Sequence, residues 1–337
     1  PPPPYTCFPF EWRAVPMLRH FLAPILTLSL TGLTLAGCNP RQPNEKTTGA
    51  VSDTAAAPTS TEASSLARKV GEVGNLEHPE SAHFDRDLNL WFVSNINGDP
   101  SKKDNNGYIS RLKADGTPDS LKFIVAGKGG VTLNAPKGIA IVGDTLWVVD
   151  IDAVRGFNKR TGAPVASVVA PRAKFLNDVA VGPDGTLYIT DTGVIPDPKT
   201  GMKHVGPDRV YQVKGRKATV ALQSPQLQGP NGITWDSNTS EFVIVSFMGP
   251  GIFGWKPGSK DVRPLGSGPG QEDGVEVLPD GRILVTSWAD SSLFVLDNGK
   301  KTTVATGIAS PADIGLDGKR VAVPQLMENK VQFWELP

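Results

Sequence analysis

The sequence repeats one seven-residue phrase six times, and this repeat constrains the fold more than any other feature. Each copy leads from a turn into an alternating apolar run, which is the pattern of a half-buried strand. The third residue of the phrase stands at positions 80, 137, 177, 231, 273 and 312, so successive copies are 57, 40, 54, 42 and 39 residues apart. A repeat of about 40 to 50 residues made of short strands is typical of propeller blades. The copies are His78–Phe84, Ala135–Ile141, Phe175–Val181, Gly229–Trp235, Gln271–Val277 and Ser310–Leu316.

The residues between the phrases supply the other strands of each blade. A turn and a second strand follow each copy, as in Leu187–Thr190, and β-branched and aromatic residues dominate these runs. We therefore predict an all-β protein, a six-bladed β-propeller with four-stranded antiparallel blades. Only three strands of the sixth blade precede the last residue, Pro337. We expect an N-terminal strand, Lys69–Val73, to supply the fourth and close the ring, because closure removes the exposed edge.

The third position of the phrase carries oxygen-bearing side chains in four copies, Glu80, Asn177, Asn231 and Asp273. In a propeller the phrase opens the strand that lines the central channel, so all four should meet at one mouth. Any single Asn or Asp before Gly is more often turn chemistry. Four at one repeat position instead predict a site for one divalent cation. Carboxylate and amide oxygens favour Ca²⁺ first and then Mg²⁺ or Mn²⁺, while Zn²⁺ is possible but normally recruits His.

The motifs around these residues resemble those of a known family. Residues 80–85 (Glu-Ser-Ala-His-Phe-Asp) are similar to the Glu-Gly-Pro-x-Trp start of the gluconolactonase/regucalcin, or senescence marker protein, family. Leu-Asn-Asp at 176–178, Pro-Asn-Gly at 230–232 and Asp-Gly at 273–274 resemble its later metal-site motifs in order. The resemblance covers residues 70–337, and residues 177–213 also resemble an NHL repeat.

The resemblance implies a six-bladed propeller that holds a divalent cation in its channel and hydrolyses lactones. It implies that Glu80, Asn231 and Asp273 bind the cation directly and that Asp273 is also the catalytic general base. Asn177 would be a weaker or water-bridged ligand, or a substrate contact. A cation polarises a carbonyl and lowers the pKa of bound water, and a carboxylate beside it takes the proton. The alternative is a non-catalytic propeller lipoprotein that binds a small ligand or a protein partner.

The expected rim of the channel is less polar than a sugar lactone would need. Phe175 stands where sugar-lactonase members of the family carry an Arg, two residues before the third-blade Asn. Half of the residues that follow the second strands are apolar, so we expect a small, partly apolar substrate. The candidates for substrate binding are Asp150, Asp191 and Trp288, with a strand-end cap as the open alternative for the two Asp. Lys137, which interrupts the ring of oxygens, either neutralises an anionic ligand or points to solvent.

The first 66 residues are predicted to be a targeting signal followed by a flexible tether. Residues 17–38 contain a basic start, an apolar run from Phe21 to Leu35 and Leu-Ala-Gly-Cys, which predict a lipoprotein signal peptide with lipidation at Cys38. The alternative is an ordinary signal peptide. Residues 1–38 thus form an upstream segment plus signal, 39–66 a flexible tether and 67–337 the propeller. Asn39, which follows the Cys, favours the outer membrane of a bacterial cell envelope, facing the periplasm.

Charge and cysteine content exclude other classes of function. The chain has 34 basic and 34 acidic residues, which gives no electrostatic case for nucleic-acid binding. Its two cysteines, Cys7 and Cys38, precede the predicted propeller, so the propeller has neither a disulfide nor a cysteine nucleophile. We expect a monomer that touches the membrane only through its lipid anchor.

Overall fold

The computed structural model describes residues 66–337, which form a six-bladed β-propeller. Six four-stranded antiparallel sheets and one two-stranded sheet make up this part of the chain, with only two short 3₁₀ helices. The predicted fold class is confirmed. The predicted signal peptide, Cys38 and nearly all of the tether lie outside the described residues, and the boundaries at 38 and 66 stay predictions. None of the helices within 66–337 has the length and apolar character needed to cross a bilayer.

The strands run in chain order around the ring. The first strand, β1, is Arg68–Val73. Blade 1 contains β2 (Pro79–Asp85), β3 (Leu90–Asn95), β4 (Tyr108–Lys113) and β5 (Pro118–Val125). Blade 2 contains β6 (Pro136–Val142), β7 (Thr145–Asp150), β8 (Ala153–Asn158) and β9 (Pro164–Val169). Blade 3 contains β10 (Leu176–Val181), β11 (Leu187–Asp191), β14 (Arg209–Lys214) and β15 (Lys217–Gln223), and the hairpin β12 (Val194–Asp197) and β13 (Gly201–His204) projects from its long loop.

The remaining blades follow the same plan. Blade 4 contains β16 (Pro230–Asp236), β17 (Glu241–Ser246), β18 (Gly251–Trp255) and β19 (Arg263–Ser267). Blade 5 contains β20 (Glu272–Val277), β21 (Ile283–Ser287), β22 (Ser292–Asp297) and β23 (Lys300–Ala305). Blade 6 contains β24 (Gly315–Asp317), β25 (Arg320–Gln325) and β26 (Lys330–Glu335), completed by β1. The 3₁₀ helices are Pro225–Leu227 and Leu326–Glu328.

The N-terminal strand closes the ring as predicted. Strand β1 pairs antiparallel with β26, from Arg68 opposite Glu335 to Val73 opposite Val331. Val73 is buried in a cluster that contains Trp91 of blade 1 and Phe333 of blade 6. The closing strand therefore covers the edge of blade 6 and adds apolar side chains to the seam between the last and first blades.

Apolar side chains fill the spaces between adjacent blades. The cluster between blades 1 and 2 contains Phe92 and Ile109 from one blade and Ile139 and Leu146 from the next. Alternation along each strand produces this arrangement, because successive side chains point to opposite faces of the sheet and both faces meet a neighbouring blade. Both polar and apolar residues of the inner strands line the channel.

Five of the six inner strands carry one extra residue at their start. In blade 1, Pro79 pairs with Asn95 and Ala82 pairs with Val93, so three steps on the inner strand oppose two on its partner. The same shift occurs at the start of β6, β10, β16 and β20. Such a bulge bends the strand and redirects a side chain. In all five blades the third residue of the phrase lies inside this irregular segment.

Candidate functional site

The third residues of all six phrases are buried where the inner strands come together. Inner strands contact one another around the ring, from β24 through β2, β6, β10 and β16 to β20. Glu80, Asn177, Asn231 and Asp273 are each at most 6% exposed. Close packing of the backbones requires small residues beside them. A Cβ on Gly232, for example, would lie 2.3 Å from the carbonyl oxygen of Asp273.

Hydrogen bonds and charge connect the four predicted ligands. The side chains of Asn231 and Trp288 lie close enough to Asp273 to lower its pKa, and the charge of Asp273 raises the pKa of Glu80. Asn177 Nδ2 donates to Thr192 Oγ1 at 3.2 Å, and Thr192 Oγ1 donates to the Pro230 carbonyl at 2.9 Å. Asn177 is thereby tied to the strand that carries Asn231, with its amide nitrogen rather than its oxygen committed to the protein.

Three of the four predicted ligands leave an oxygen without a hydrogen-bond partner among the described residues. These buried atoms are Glu80 Oε2, Asn231 Oδ1 and Asp273 Oδ1. A buried oxygen without a donor is costly, since folding removes it from water without replacing the lost hydrogen bond. Three such oxygens on one ring of residues match the chemistry of a hard cation. No three His, Cys, Asp or Glu side chains within residues 66–337 are grouped as a metal site. The predicted set instead combines two carboxylates with two amides.

Burial dominates the electrostatics of the two carboxylates. Burial raises the pKa of Glu80 well above its usual value, and the charges of Asp273 and Asp313 raise it further, while Lys137 lowers it. Burial also raises the pKa of Asp273, as does the charge of Asp313, while hydrogen bonds from Trp288 and Asn231 lower it. Two buried carboxylates that repel each other favour either protonation or a bound cation.

The fourth position of the phrase holds two carboxylates that the sequence interpretation missed. Asp178 accepts hydrogen bonds from the backbone N–H groups of Val179 (2.6 Å) and Ile233 (2.7 Å), which links blade 3 to blade 4. Asp313 accepts a 2.5 Å hydrogen bond from Ser81 Oγ, which links blade 6 to blade 1. Burial raises the pKa of Asp313 to about 7. The signal was present, because these copies carry Asp where three others carry Gly.

A cavity of about 200 Å³ continues down the channel from the ring of ligands. It is lined by residues further along the inner strands, among them Asp178, Thr234, Glu276 and Asp313. His83 also lines it, and burial lowers the pKa of His83 to about 4, so this imidazole is neutral near pH 7. None of the four predicted ligands lines this cavity. The ligand ring and the cavity therefore occupy successive levels of one channel.

The predicted substrate-binding residues fall into two groups. Trp288 packs edge-on against Phe247, with ring centroids 5.7 Å apart, and lies close enough to Asp273 to lower its pKa. Asp150 and Asp191 are fully buried, and their oxygens accept hydrogen bonds from backbone N–H groups just before the inner strand of their own blade, such as those of Ala135 (3.0 Å) and Phe175 (2.8 Å). That is the geometry of a strand-end cap, and a substrate contact by either Asp stays a prediction.

Comparison with known proteins gives a family match and a shared fold. The family model described as SMP-30/gluconolactonase/LRE-like region matches residues 78–316. No curated protein matches the sequence significantly. The structure is similar to that of a gluconolactonase from Xanthomonas campestris, with 16% identity, a TM-score of 0.58 and coverage of 80% of this chain and 91% of that chain.

Two further solved structures share this architecture. One is a putative gluconolactonase, with 14% identity, a TM-score of 0.57 and coverage of 80% of this chain and 91% of that chain. The other is a catalytically inactive virginiamycin B lyase from Staphylococcus aureus, solved with quinupristin, with 15% identity, a TM-score of 0.54 and coverage of 79% and 99%. At these identities the similarity establishes the fold alone.

Proposed function

Because the chain belongs to the SMP-30/gluconolactonase/LRE-like family, we propose that it hydrolyses a lactone or ester at the mouth of its channel. The proposed site holds one divalent cation between Glu80, Asn177, Asn231 and Asp273. Ca²⁺ is the proposed cation, with Mg²⁺, Mn²⁺ and Zn²⁺ as the competitors. The proposed substrate is a small, partly apolar molecule.

The observation that carries the proposal is the set of oxygens without donors. Glu80 Oε2, Asn231 Oδ1 and Asp273 Oδ1 belong to three different blades, and each is buried without a hydrogen-bond partner in the described part of the chain. A turn or a packing role gives no reason for three such atoms at one repeat position. A cation that accepts all three offsets the cost of burying them and the repulsion between Glu80 and Asp273.

The residues of the proposed site would have different roles in hydrolysis. When bound, the cation supplies Lewis acidity toward the substrate carbonyl and a lowered pKa of water. Asp273 takes the proton of the attacking water, and such a base contributes typically about 10²–10⁴-fold. Asn231 and Trp288 lie beside Asp273 and favour its ionised form, because their side chains lower its pKa. Glu80 contributes charge, and the low exposure of the whole ring excludes bulk water.

Two variants test the roles of the carboxylates separately. Asp273→Asn keeps an oxygen of the same size but cannot accept a proton, so turnover at saturating Ca²⁺ should fall by at least about a hundredfold. Glu80→Gln should weaken Ca²⁺ binding, with turnover restored at high Ca²⁺ concentration. Asp261→Asn, on an exposed turn, is the control and should match the wild type.

The measurements are Ca²⁺ affinity by calorimetry and turnover of a panel of lactones and esters with and without EDTA. Full turnover of Asp273→Asn at saturating Ca²⁺ would reduce Asp273 to a ligand. Unchanged affinity in both variants would mean that the four residues do not form a cation site. Ca²⁺ binding without turnover of any substrate in the panel would favour the non-catalytic binding propeller.

We also propose that the protein is a monomeric lipoprotein of the bacterial cell envelope, anchored through Cys38 to the outer membrane and facing the periplasm. The Leu-Ala-Gly-Cys sequence after a short apolar run supports this proposal. Mass spectrometry of the membrane fraction should identify an acylated Cys38 as the N-terminal residue. Recovery of the mature protein only in the soluble fraction, starting at another residue, would contradict it.

A further inference from the structure

Lys137 has an environment that is unusual for a buried lysine. It occupies the third position of the blade 2 phrase and is 1% exposed. Its Nζ donates hydrogen bonds to the carbonyl oxygens of Ala135 (3.1 Å) and Pro100 (3.4 Å) and lies 4.2 Å from the centre of the Phe175 ring. It forms no ion pair with any carboxylate of residues 66–337. Its position excludes the solvent-facing alternative.

A second buried lysine shows the usual arrangement. Lys159 is 4% exposed, and its Nζ lies 2.9 Å from Asp85 Oδ2 and 3.1 Å from Asp87 Oδ2. A buried charge without an ionic partner is expensive, so natural proteins pair such groups or use them. Lys159 is paired. Lys137 presents an ammonium group to the ring of ligands with only neutral partners in contact.

The carboxylates around the ring do not pair directly with the ammonium. Glu80 and Asp150 act on Lys137 only through their charge, and Asp150 is already paired with Arg155 at 2.5 Å. Glu80, Asp273 and Asp313 instead repel one another, a conflict that the proposed cation would relieve. A negative charge on the ligand would give the ammonium a direct ionic partner on the blade 2 side of the mouth.

The opposite side of the mouth is apolar. Blades 2 and 5 face each other across a six-membered ring, and Trp288 follows the second strand of blade 5. It packs against Phe247 of blade 4, and Met248 beside it is 44% exposed. The Phe247–Trp288 ring pair and the exposed Met248, which follows Phe247 in the sequence, offer a surface for an apolar group of a ligand.

From these contacts we propose that Lys137 binds a carboxylate of the ligand while Phe247, Met248 and Trp288 bind its apolar body. The substrate is then a lactone or ester that carries one negative charge and an apolar portion. The substrate class rests on the proposed function, whereas the binding of an anion by Lys137 does not and is tested separately.

The first experiment measures binding of hexanoate to the Ca²⁺-loaded protein by calorimetry, with hexan-1-ol as the neutral comparison. Lys137→Met should weaken hexanoate binding about thirtyfold, equivalent to about 2 kcal/mol. Lys174→Met removes a neighbouring exposed charge and should change the affinity little. Phe247→Ala should weaken hexanoate but leave acetate unchanged, which tests the apolar side even if Lys137→Met folds poorly. Equal hexanoate affinity in wild type and Lys137→Met would overturn the proposal.

The second experiment compares hydrolysis of a γ-butyrolactone that carries a carboxylate with the same lactone carrying a neutral carboxamide. Wild type should prefer the anionic lactone in kcat/KM, and Lys137→Met should lose that preference. Cation-dependent hydrolysis with no preference in either protein would overturn the Lys137 assignment and leave the hydrolase intact. Lys137-dependent hexanoate binding without hydrolysis of any lactone would support the anion site and reject the hydrolase.

Discussion

Replacing Lys137 by methionine should stabilise the cation-free protein and change how its stability depends on pH. Burial lowers the pKa of Lys137 from 10.5 to about 8, although the charges of Glu80 and Asp150 act in the opposite direction. The unfolded chain therefore holds this proton more tightly than the folded protein. Stability must rise with pH between about pH 8 and about pH 10.5, because the unfolded state binds more protons in that range.

The size of the effect follows from the same values. One pKa unit corresponds to about 1.4 kcal/mol, so the fall from 10.5 to about 8 means that the charged lysine costs the folded protein about 3 kcal/mol at neutral pH. Most of this cost disappears by about pH 10, where the folded lysine is neutral. Methionine has a similar length and no charge, so the variant should be more stable near pH 7.5 and lose most of that advantage near pH 10.

The assay is urea unfolding of both proteins in EDTA at about pH 7.5 and about pH 10, with the free energy taken from linear extrapolation. The difference between them should shrink by about 2 kcal/mol over this range. Lys159→Met is the matched control of opposite sign. Burial would lower the pKa of Lys159, but its hydrogen bonds to Asp85 and Asp87 raise it. This variant should lose about 2 kcal/mol, with little recovery below pH 10.5. Parallel pH profiles for wild type and Lys137→Met would refute the reasoning.

Two further predictions concern the ring of blades. A chain beginning at residue 66 keeps β1, whereas one beginning at Gly74 exposes the edge of β26 and loses the buried Val73. The free energy of unfolding in urea should therefore be lower by at least about 3 kcal/mol in the shorter chain. Equal stability of the two chains would contradict closure of the ring by β1. Gly232→Ala puts a Cβ 2.3 Å from the Asp273 carbonyl and should cost about 1–3 kcal/mol and weaken Ca²⁺ binding. Gly74→Ala, with nothing within 4 Å, is its control, and similar affinities in both would show that Asp273 does not depend on this contact.

The six blades could be predicted from the sequence because the repeat sets them directly. The period, the turn at the start of each phrase and the alternating strands all pointed to the same architecture, and the missing strand of blade 6 identified β1 as its completion. The position of each side chain along the bulge could not be predicted. In blade 3 the extra residue brings the fourth position, Asp178, as well as the third into the irregular segment. In blade 6 Asp313 precedes the inner strand and forms an isolated bridge with Ser81 of blade 1.

The environment of Lys137 shows a different limit of sequence reasoning. Its place in the phrase is fixed by the repeat, but its ammonium group contacts Phe175 from blade 3 and Pro100 from the blade 1 loop. Contacts between different blades and loops of this kind leave no periodic signal. By contrast, Asp150 and Asp191 accept hydrogen bonds from backbone groups sixteen residues earlier in their own blades, a spacing that recurs.

The channel holds more buried carboxyl groups than the surrounding protein can stabilise in their ionised form. Besides Glu80 and Asp273, burial raises the pKa of Glu276 to about 8 and that of Asp313 to about 7. A carboxyl whose pKa is raised on folding costs stability as pH increases from its unfolded value through its folded value. For these two groups the loss falls between about pH 4 and about pH 8, a window that includes neutral pH. Hydrogen bonds from Thr234 and Ser81 reduce this cost but do not remove it.

Lys137 is the one cation of the described chain among the third positions, and a bound divalent cation would be the second source of positive charge. The cation site that we propose for catalysis would therefore also hold the inner strands together. The positive charge that activates a substrate would also offset the repulsion between the buried carboxylates of the channel.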